Sequence, residues 1–186
     1  NLVDESEIES ILSRVSFTHR HADNNHIGKC AIVYEAVPEV MGAKKDAFSY
    51  ISEHAAEEAI VASTTSTFLV TELADLITNS SRFLNAHWLN PAHLMPLVEI
   101  SKGDQTSQST IDELVSSLHS IGKETVICSA SPGYIVPRIQ AVAMNEAARL
   151  VEEGVASAED CESNWTGSWD TTYGQLRLIK DGLIVY

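Results

Sequence analysis

A histidine and a glutamate twelve positions apart, His87 and Glu99, stand in the run Asn85-Ala86-His87-Trp88-Leu89-Asn90-Pro91-Ala92-His93-Leu94-Met95-Pro96-Leu97-Val98-Glu99-Ile100. A histidine at the end of one strand and a glutamate inside the next could face each other. The carboxylate would then fix the imidazole tautomer and raise its basicity, as a general base requires. Spacing alone is more often that of a structural pair, or of two unrelated residues. Other candidates carry less. His19, His21 and His26 lie in a polar stretch, and only Asp23 stands near enough to extend a His-x-His pair. That does not complete a tetrahedral ligand set, so a solvated loop is the better reading and no metal is expected. His93 reads as a residue that packs or caps near a turn. Cys128, in an apolar run, reads as an inert small hydrophobe.

Placing His87 and Glu99 requires elements around them. Cys30–Tyr34, Ala59–Ala62, Arg82–Trp88, Leu97–Ile100 and Thr125–Cys128 are short apolar runs that suit buried strands. Asn90-Pro91 breaks the third from the fourth as a turn signal. Between strands lie helices over 43–55, 68–77 and 107–121. In the last of these, Ile111, Leu114, Val115 and Leu118 fall at i, i+3, i+4 and i+7, and Gly122 stands where a C′ glycine belongs. A first helix is capped at Asp4 or Ser6, and residues 15–18 read as a further short strand. A long helix from about Tyr134 to Glu153 is apolar on several sides and is expected to be buried. Pro137 fits only because it lies in the first turn. Alternating short strands and helices mark an α/β layer fold. After about residue 162 the chain changes character: Trp165, Trp169 and Tyr173 cluster, and Asp181-Gly182 between two apolar runs signals a β-hairpin.

Composition narrows the function classes. The 186 residues carry 12 basic and 26 acidic side chains, a formal charge of −14. Nucleic acid and anionic membranes demand clustered positive charge, so neither is expected as a partner. No apolar run approaches the ~18 residues of a membrane span. Three widely spaced cysteines argue against a disulfide framework and for a reducing compartment, cytoplasmic or the mitochondrial matrix. Asn164-Trp165-Thr166 fits a glycosylation sequon, a triplet common by chance.

The run around His87 resembles the His-x-x-Asn-Pro…Leu-Val-Glu signature of the 3-hydroxyacyl-CoA dehydrogenases, including the 3-hydroxybutyryl-CoA dehydrogenases. Tyr34-Glu35-Ala36-Val37-Pro38-Glu39…Lys44 is similar to the family's Glu-Ala-Val-x-Glu…Lys. Thr64-Thr65-Ser66-Thr67-Phe68 resembles its Asn-Thr-Ser-Ser-Leu, and Ser131-Pro132-Gly133-Tyr134-Ile135-Val136-Pro137-Arg138 its Pro-Gly-Phe-Ile-Val-Asn-Arg. Asn145-Glu146-Ala147 and Glu152 to Ser157 continue it, so the likeness covers roughly residues 30–162. The resemblance implies a catalytic set of His87, Glu99, Ser66 and Asn90. His87 takes the 3-hydroxyl proton, Glu99 orients it, Ser66 bonds the substrate oxygen and Asn90 sits by the nicotinamide. It implies NAD as cofactor, with Ala36, Glu39, Lys44 and Asn90 lining its site, an acyl-CoA substrate, and a possible homodimer in the full-length form.

The departures are specific. Pro137 stands where the family places an Asn that contacts substrate, and Thr64 replaces an Asn. No Gly-x-Gly-x-x-Gly occurs among the nine glycines, so the Gly-rich βαβ unit is expected ahead of Asn1. The resulting expectation is an α/β fold: the second half of a Rossmann-like dinucleotide-binding domain, then a long buried helix and a short C-terminal hairpin. Residues 1–130 are the partial NAD-binding and catalytic domain, 131–162 the start of a helical domain and 163–186 a divergent tail. The expected activity is NAD-dependent oxidation of a 3-hydroxyacyl-CoA in fatty-acid metabolism, as part of a longer chain. The alternatives are a dehydrogenase of a small 3-hydroxy acid without CoA, or a non-catalytic fragment or assembly partner.

Overall fold

The structure, a computed structural model, describes residues 4–19 and 26–161. The expectations that fall on His21, Asp23, Asn164 and the 163–186 hairpin lie outside the described residues. Helix α1 (Glu5–Leu12) starts at Asp4, whose carboxylate accepts the N–H of Ser6. The strand expected over 15–18 does not form. A short β-branched run has strand propensity, but a strand needs a partner ladder. Among the described residues none pairs with this one, and Phe17 is left 94% exposed.

Five strands make the sheet: β1 (Ile32–Glu35), β2 (Ile60–Ser63), β3 (Phe83–Trp88), β4 (Leu97–Lys102) and β5 (Glu124–Ser129), in spatial order of sequence. Helices α2 (Met41–His54) and α3 (Val70–Ala74) follow β1 and β2, and α4 (Gln108–Ser120) follows β4. β1, β2 and β3 run parallel, as do β4 and β5, but β3 and β4 are antiparallel. Only the eight residues 89–96 connect β3 to β4. A parallel crossover needs a dozen or more, so the chain reverses.

Side chains on the two faces fill two cores. On one face Ile60, Ala62, Leu84, Ala86, Val98 and Ile100 pack with Ile111, Leu114 and Leu118 of α4. That helix is held as its sequence demands: Ser107 caps Thr110 N–H, and Gly122 adopts φ 77° just past the end. On the other face Val33, Val61 and Phe83 pack with Phe48 and Ile51 of α2 and Val70 and Leu73 of α3. Phe48 and Phe83 meet edge to face at 5.4 Å.

The long helix α5 (Val136–Glu152) forms, but it is not buried: only Val136 in its first turn is. Val142, Met144 and Val151 lie exposed. The burial expected from its apolar pattern does not occur. An apolar pattern states what a helix could bury, and burial needs a neighbouring layer, which the described residues do not place against this helix beyond its first turn.

Candidate active site

The second sheet face changes from apolar to polar toward one edge. Parallel β1, β2 and β3 end there, and antiparallel β4 begins there. The loops after strand ends in open α/β sheets are where ligands bind. His87 lies in β3 directly opposite Glu99 in β4, so both side chains point to the same face. His87 Nδ1 is 2.9 Å from Glu99 Oε2. Glu99 is 1% exposed, and its second oxygen accepts the backbone N–H groups of Ile135 at 3.0 Å and Val136 at 2.8 Å. The carboxylate thus sits at the start of α5 with three donors around it. It requires a proton on Nδ1, leaving Nε2 as the acceptor, and Ser66 Oγ lies 3.2 Å from that nitrogen.

The chain turns sharply to present those two amides. Gly133 has φ 73° and Tyr134 has φ 45°, both left-handed. A Cβ at Gly133 would come within 3.1 Å of the Arg138 side chain. The Tyr134 ring lies 5.4 Å from the His87 ring, and its hydroxyl donates to the carbonyl of Phe68 at 2.9 Å. Burial, and after it the charge of Glu39, pushes the Tyr134 phenol above its usual range. The phenol therefore stays protonated and donates to Phe68, fastening the start of α5 to the loop that carries Ser66.

That loop, 64–69, is held by Glu39. One carboxylate oxygen accepts the hydroxyl of Thr65, the N–H of Ser66 at 3.1 Å, and both the N–H and the hydroxyl of Thr67 at 3.0 and 2.7 Å. Burial alone would raise the Glu39 carboxyl. The hydrogen bonds from Thr65, Thr67 and Lys44 outweigh it and bring the pKa from 4.5 down to about 2. A folded-state pKa below the unfolded one stabilises fully above about pH 4.5, and the stabilisation is lost as pH falls toward 2. Glu39→Gln is therefore expected to flatten the acid-side fall of the urea midpoint, measured from pH 5 downward. An unchanged slope would exclude Glu39 as its source.

Ser–His–carboxylate is also the geometry of acyl-transfer nucleophiles. Such a site needs N–H donors aimed at an oxyanion. Here the N–H groups of Ser66 and Thr67 are spent on Glu39, so the arrangement fits a proton relay to a bound hydroxyl instead.

The remaining sequence candidates fall at the same edge. Ala36 and Asn90 are exposed, just past β1 and β3. Lys44, in α2, is 1% exposed, with Nζ bonded to both oxygens of Glu35 and to Glu39, each at 3.1 Å. The sequence reading passed over Glu35, Thr65 and Tyr134. An acid closing a buried strand, nine residues before a lysine, is the signal that could have marked Glu35. At the opposite edge a cleft of about 670 Å³ is lined by Glu57, Glu58, Arg82 and Glu113. Arg82 is already paired with Glu113 at 2.8 Å there, and nothing resembles a relay. Among the described residues no three His, Cys, Asp or Glu side chains converge as metal ligands, and no helix is long and apolar enough to cross a membrane.

Comparison with known proteins places the chain's fold and family. Residues 1–131 match the family model described as 3-hydroxyacyl-CoA dehydrogenase, NAD binding domain, and residues 133–181 match the 3-hydroxyacyl-CoA dehydrogenase C-terminal domain. The mitochondrial hydroxyacyl-coenzyme A dehydrogenase of Sus scrofa is 38% identical over 156 residues, covering 84% of this chain and 49% of the relative. The 3-hydroxybutyryl-CoA dehydrogenase of Clostridioides difficile is 36% identical over 152 residues, covering 82% and 53%. Among solved structures, (S)-3-hydroxybutyryl-CoA dehydrogenase from Ralstonia eutropha superposes with a TM-score of 0.79 at 32% identity, covering 89% of this chain and 58% of that one. The chain spans about half the length of the curated relatives it matches.

Proposed function

Because the chain belongs to the 3-hydroxyacyl-CoA dehydrogenase family, we propose that it carries the catalytic centre for NAD-dependent oxidation of a 3-hydroxyacyl-CoA to the 3-oxoacyl-CoA. One observation carries the reading: the Ser66–His87–Glu99 chain of hydrogen bonds, open to the sheet edge at Ser66 and closed in the interior at Glu99. His87 Nε2 takes the proton of the substrate 3-hydroxyl as C3 is oxidised. Glu99, anchored by two backbone amides, holds the imidazole in the tautomer that leaves Nε2 free and offsets the charge it gains. Ser66 Oγ lies where it can hydrogen-bond both Nε2 and the reacting oxygen, which orients the hydroxyl for proton transfer.

NAD would supply the hydride acceptor. The donor set suits its nicotinamide half: Glu39, ionised at all working pH values and partly exposed, can accept from ribose hydroxyls, while Ala36 and Asn90 offer an uncharged rim. Residues 1–130 are read as the nucleotide-binding and catalytic part and 131–162 as the beginning of the helical part, whose family match runs on to residue 181.

Pro137 favours one second reading. A proline offers no hydrogen bond where the family's Asn would, and a small 3-hydroxy acid without CoA would need none there. Assay of NADH formation by the full-length protein with 3-hydroxybutyryl-CoA and with free 3-hydroxybutyrate separates the two. Turnover of the thioester only is expected. Turnover of the free acid only would replace the first reading with the second, and turnover of neither would remove both. With the active substrate, Ser66→Ala is expected to cut kcat by about tenfold, the worth of one well-placed hydrogen bond, and to leave nucleotide affinity near wild type. Equal loss of both would point to a collapsed loop.

A further inference from the structure

Lys44 has three N–H donors, and all three are taken: two by Glu35 and one by Glu39. Its ammonium lies 5.8 Å over the Phe68 ring and is sealed from solvent. Nothing is left to offer a ligand. Glu35 is equally saturated. Besides Lys44 it accepts the Ser63 hydroxyl at 2.6 Å and the N–H of Val37 at 2.9 Å, and it is 2% exposed. The only member of this cluster that reaches the open edge is Glu39, and its other oxygen grips the Ser66 loop.

We propose that Glu35 is a positioning residue for Ser66, acting through Lys44 and Glu39, and that Lys44 serves the site only through this chain of contacts. The proposal rests on the reading above for the role of Ser66, and it gives Lys44 an indirect role where the family resemblance implies a nucleotide contact. The physical logic is charge balance. A buried ammonium needs a buried counter-charge, and Glu35 supplies it. With Lys44 so neutralised and fixed, it can hold the partly exposed Glu39, which would otherwise turn toward water. Glu39 then remains aimed at the N–H groups of Ser66 and Thr67, and Ser66 Oγ stays within reach of His87 Nε2. Ser63 and Val37 hold Glu35 itself, so the end of β1, the end of β2 and the first turn of α2 are tied into one frame.

Amide hydrogen exchange read residue by residue tests this without assuming turnover. In Glu35→Gln and in Lys44→Met, exchange at Ser66 and Thr67 is expected to quicken at least tenfold, while the β4 amides stay at wild-type protection. Breaking one half of a buried pair can unfold a protein, so the double variant Glu35→Gln/Lys44→Met is the control. It removes both charges, is expected to melt above either single variant, and still exchanges fast at Ser66 and Thr67, with no additivity. Steady-state assay adds a second readout: kcat falls several-fold in all three, and nucleotide KM moves little. Unchanged Ser66 and Thr67 exchange in the folded double variant would overturn the proposal. So would a Lys44→Met protein that loses nucleotide affinity alone, since that is the mark of a direct contact. A wild-type protein without dehydrogenase turnover, whose Ser66 exchange still responds to Glu35→Gln, would refute the functional reading and uphold the coupling.

Discussion

His87→Gln is expected to lower kcat by about 10²–10⁴, the usual worth of a positioned general base, with the KM for the thioester changed little. Glutamine fills nearly the same volume and can still donate to Glu99 Oε2, so the cleft and the loop should hold their shape. What it lacks is a basic ring nitrogen to receive the substrate's proton. The loss should therefore fall on the chemical step and appear equally in kcat and kcat/KM. Ser66 keeps a hydrogen-bond partner in the amide oxygen, which separates this variant from a general disruption of the site. Steady-state kinetics with the substrate in saturating amounts is the measurement. Turnover within a few-fold of wild type would remove His87 from the mechanism, and a rise in KM alone would make it a binding residue.

Two substitutions at Glu99 should behave differently from each other. In Glu99→Ala three donors lose their acceptor at once: His87 Nδ1–H and the amides of Ile135 and Val136. Leaving buried donors unsatisfied costs about 1–3 kcal/mol each. With partial relaxation of the α5 start, a loss of about 3–5 kcal/mol in unfolding free energy is expected. Glu99→Gln keeps one oxygen for the two amides and should retain most of that stability. Its amide nitrogen must then face His87, which forces the imidazole proton to Nε2 and leaves that nitrogen, facing the substrate, unable to accept a proton. Activity should fall by about 10²–10⁴ in a protein that still folds. Urea denaturation beside kcat measurement checks both. A stable, active Glu99→Gln would show that the carboxylate charge and tautomer control are dispensable.

What could be read along the chain is what local physics controls. Helix α4 declares itself through a serine cap, a one-sided apolar stripe and a closing glycine, all within one segment. The five strands are visible because each is a short apolar run between turn signals, and the family likeness is carried by contiguous motifs around Ala36, Ser66, His87 and Glu99. Those motifs name the residues of the relay. They do not supply its register, since a slip of one residue between β3 and β4 would send His87 and Glu99 to opposite faces. Only the antiparallel pairing of His87 with Glu99 aligns them. The same holds for contacts between remote segments. Glu99 meets the amides of Ile135 and Val136 across more than thirty residues, and Tyr134 reaches the carbonyl of Phe68 across 66. No periodicity encodes such meetings. They arise where strand ends, loops and a helix start converge on one edge of the sheet. Burial is likewise a property of neighbours, which is why the apolar pattern of α5 misled while that of α4 did not: α4 has the sheet beside it, and α5 leaves the sheet after Val136. Lys44 makes the point most sharply. The family resemblance implies a ligand contact for it, and only the folded chain reveals its buried ammonium 3.1 Å from three oxygens of Glu35 and Glu39.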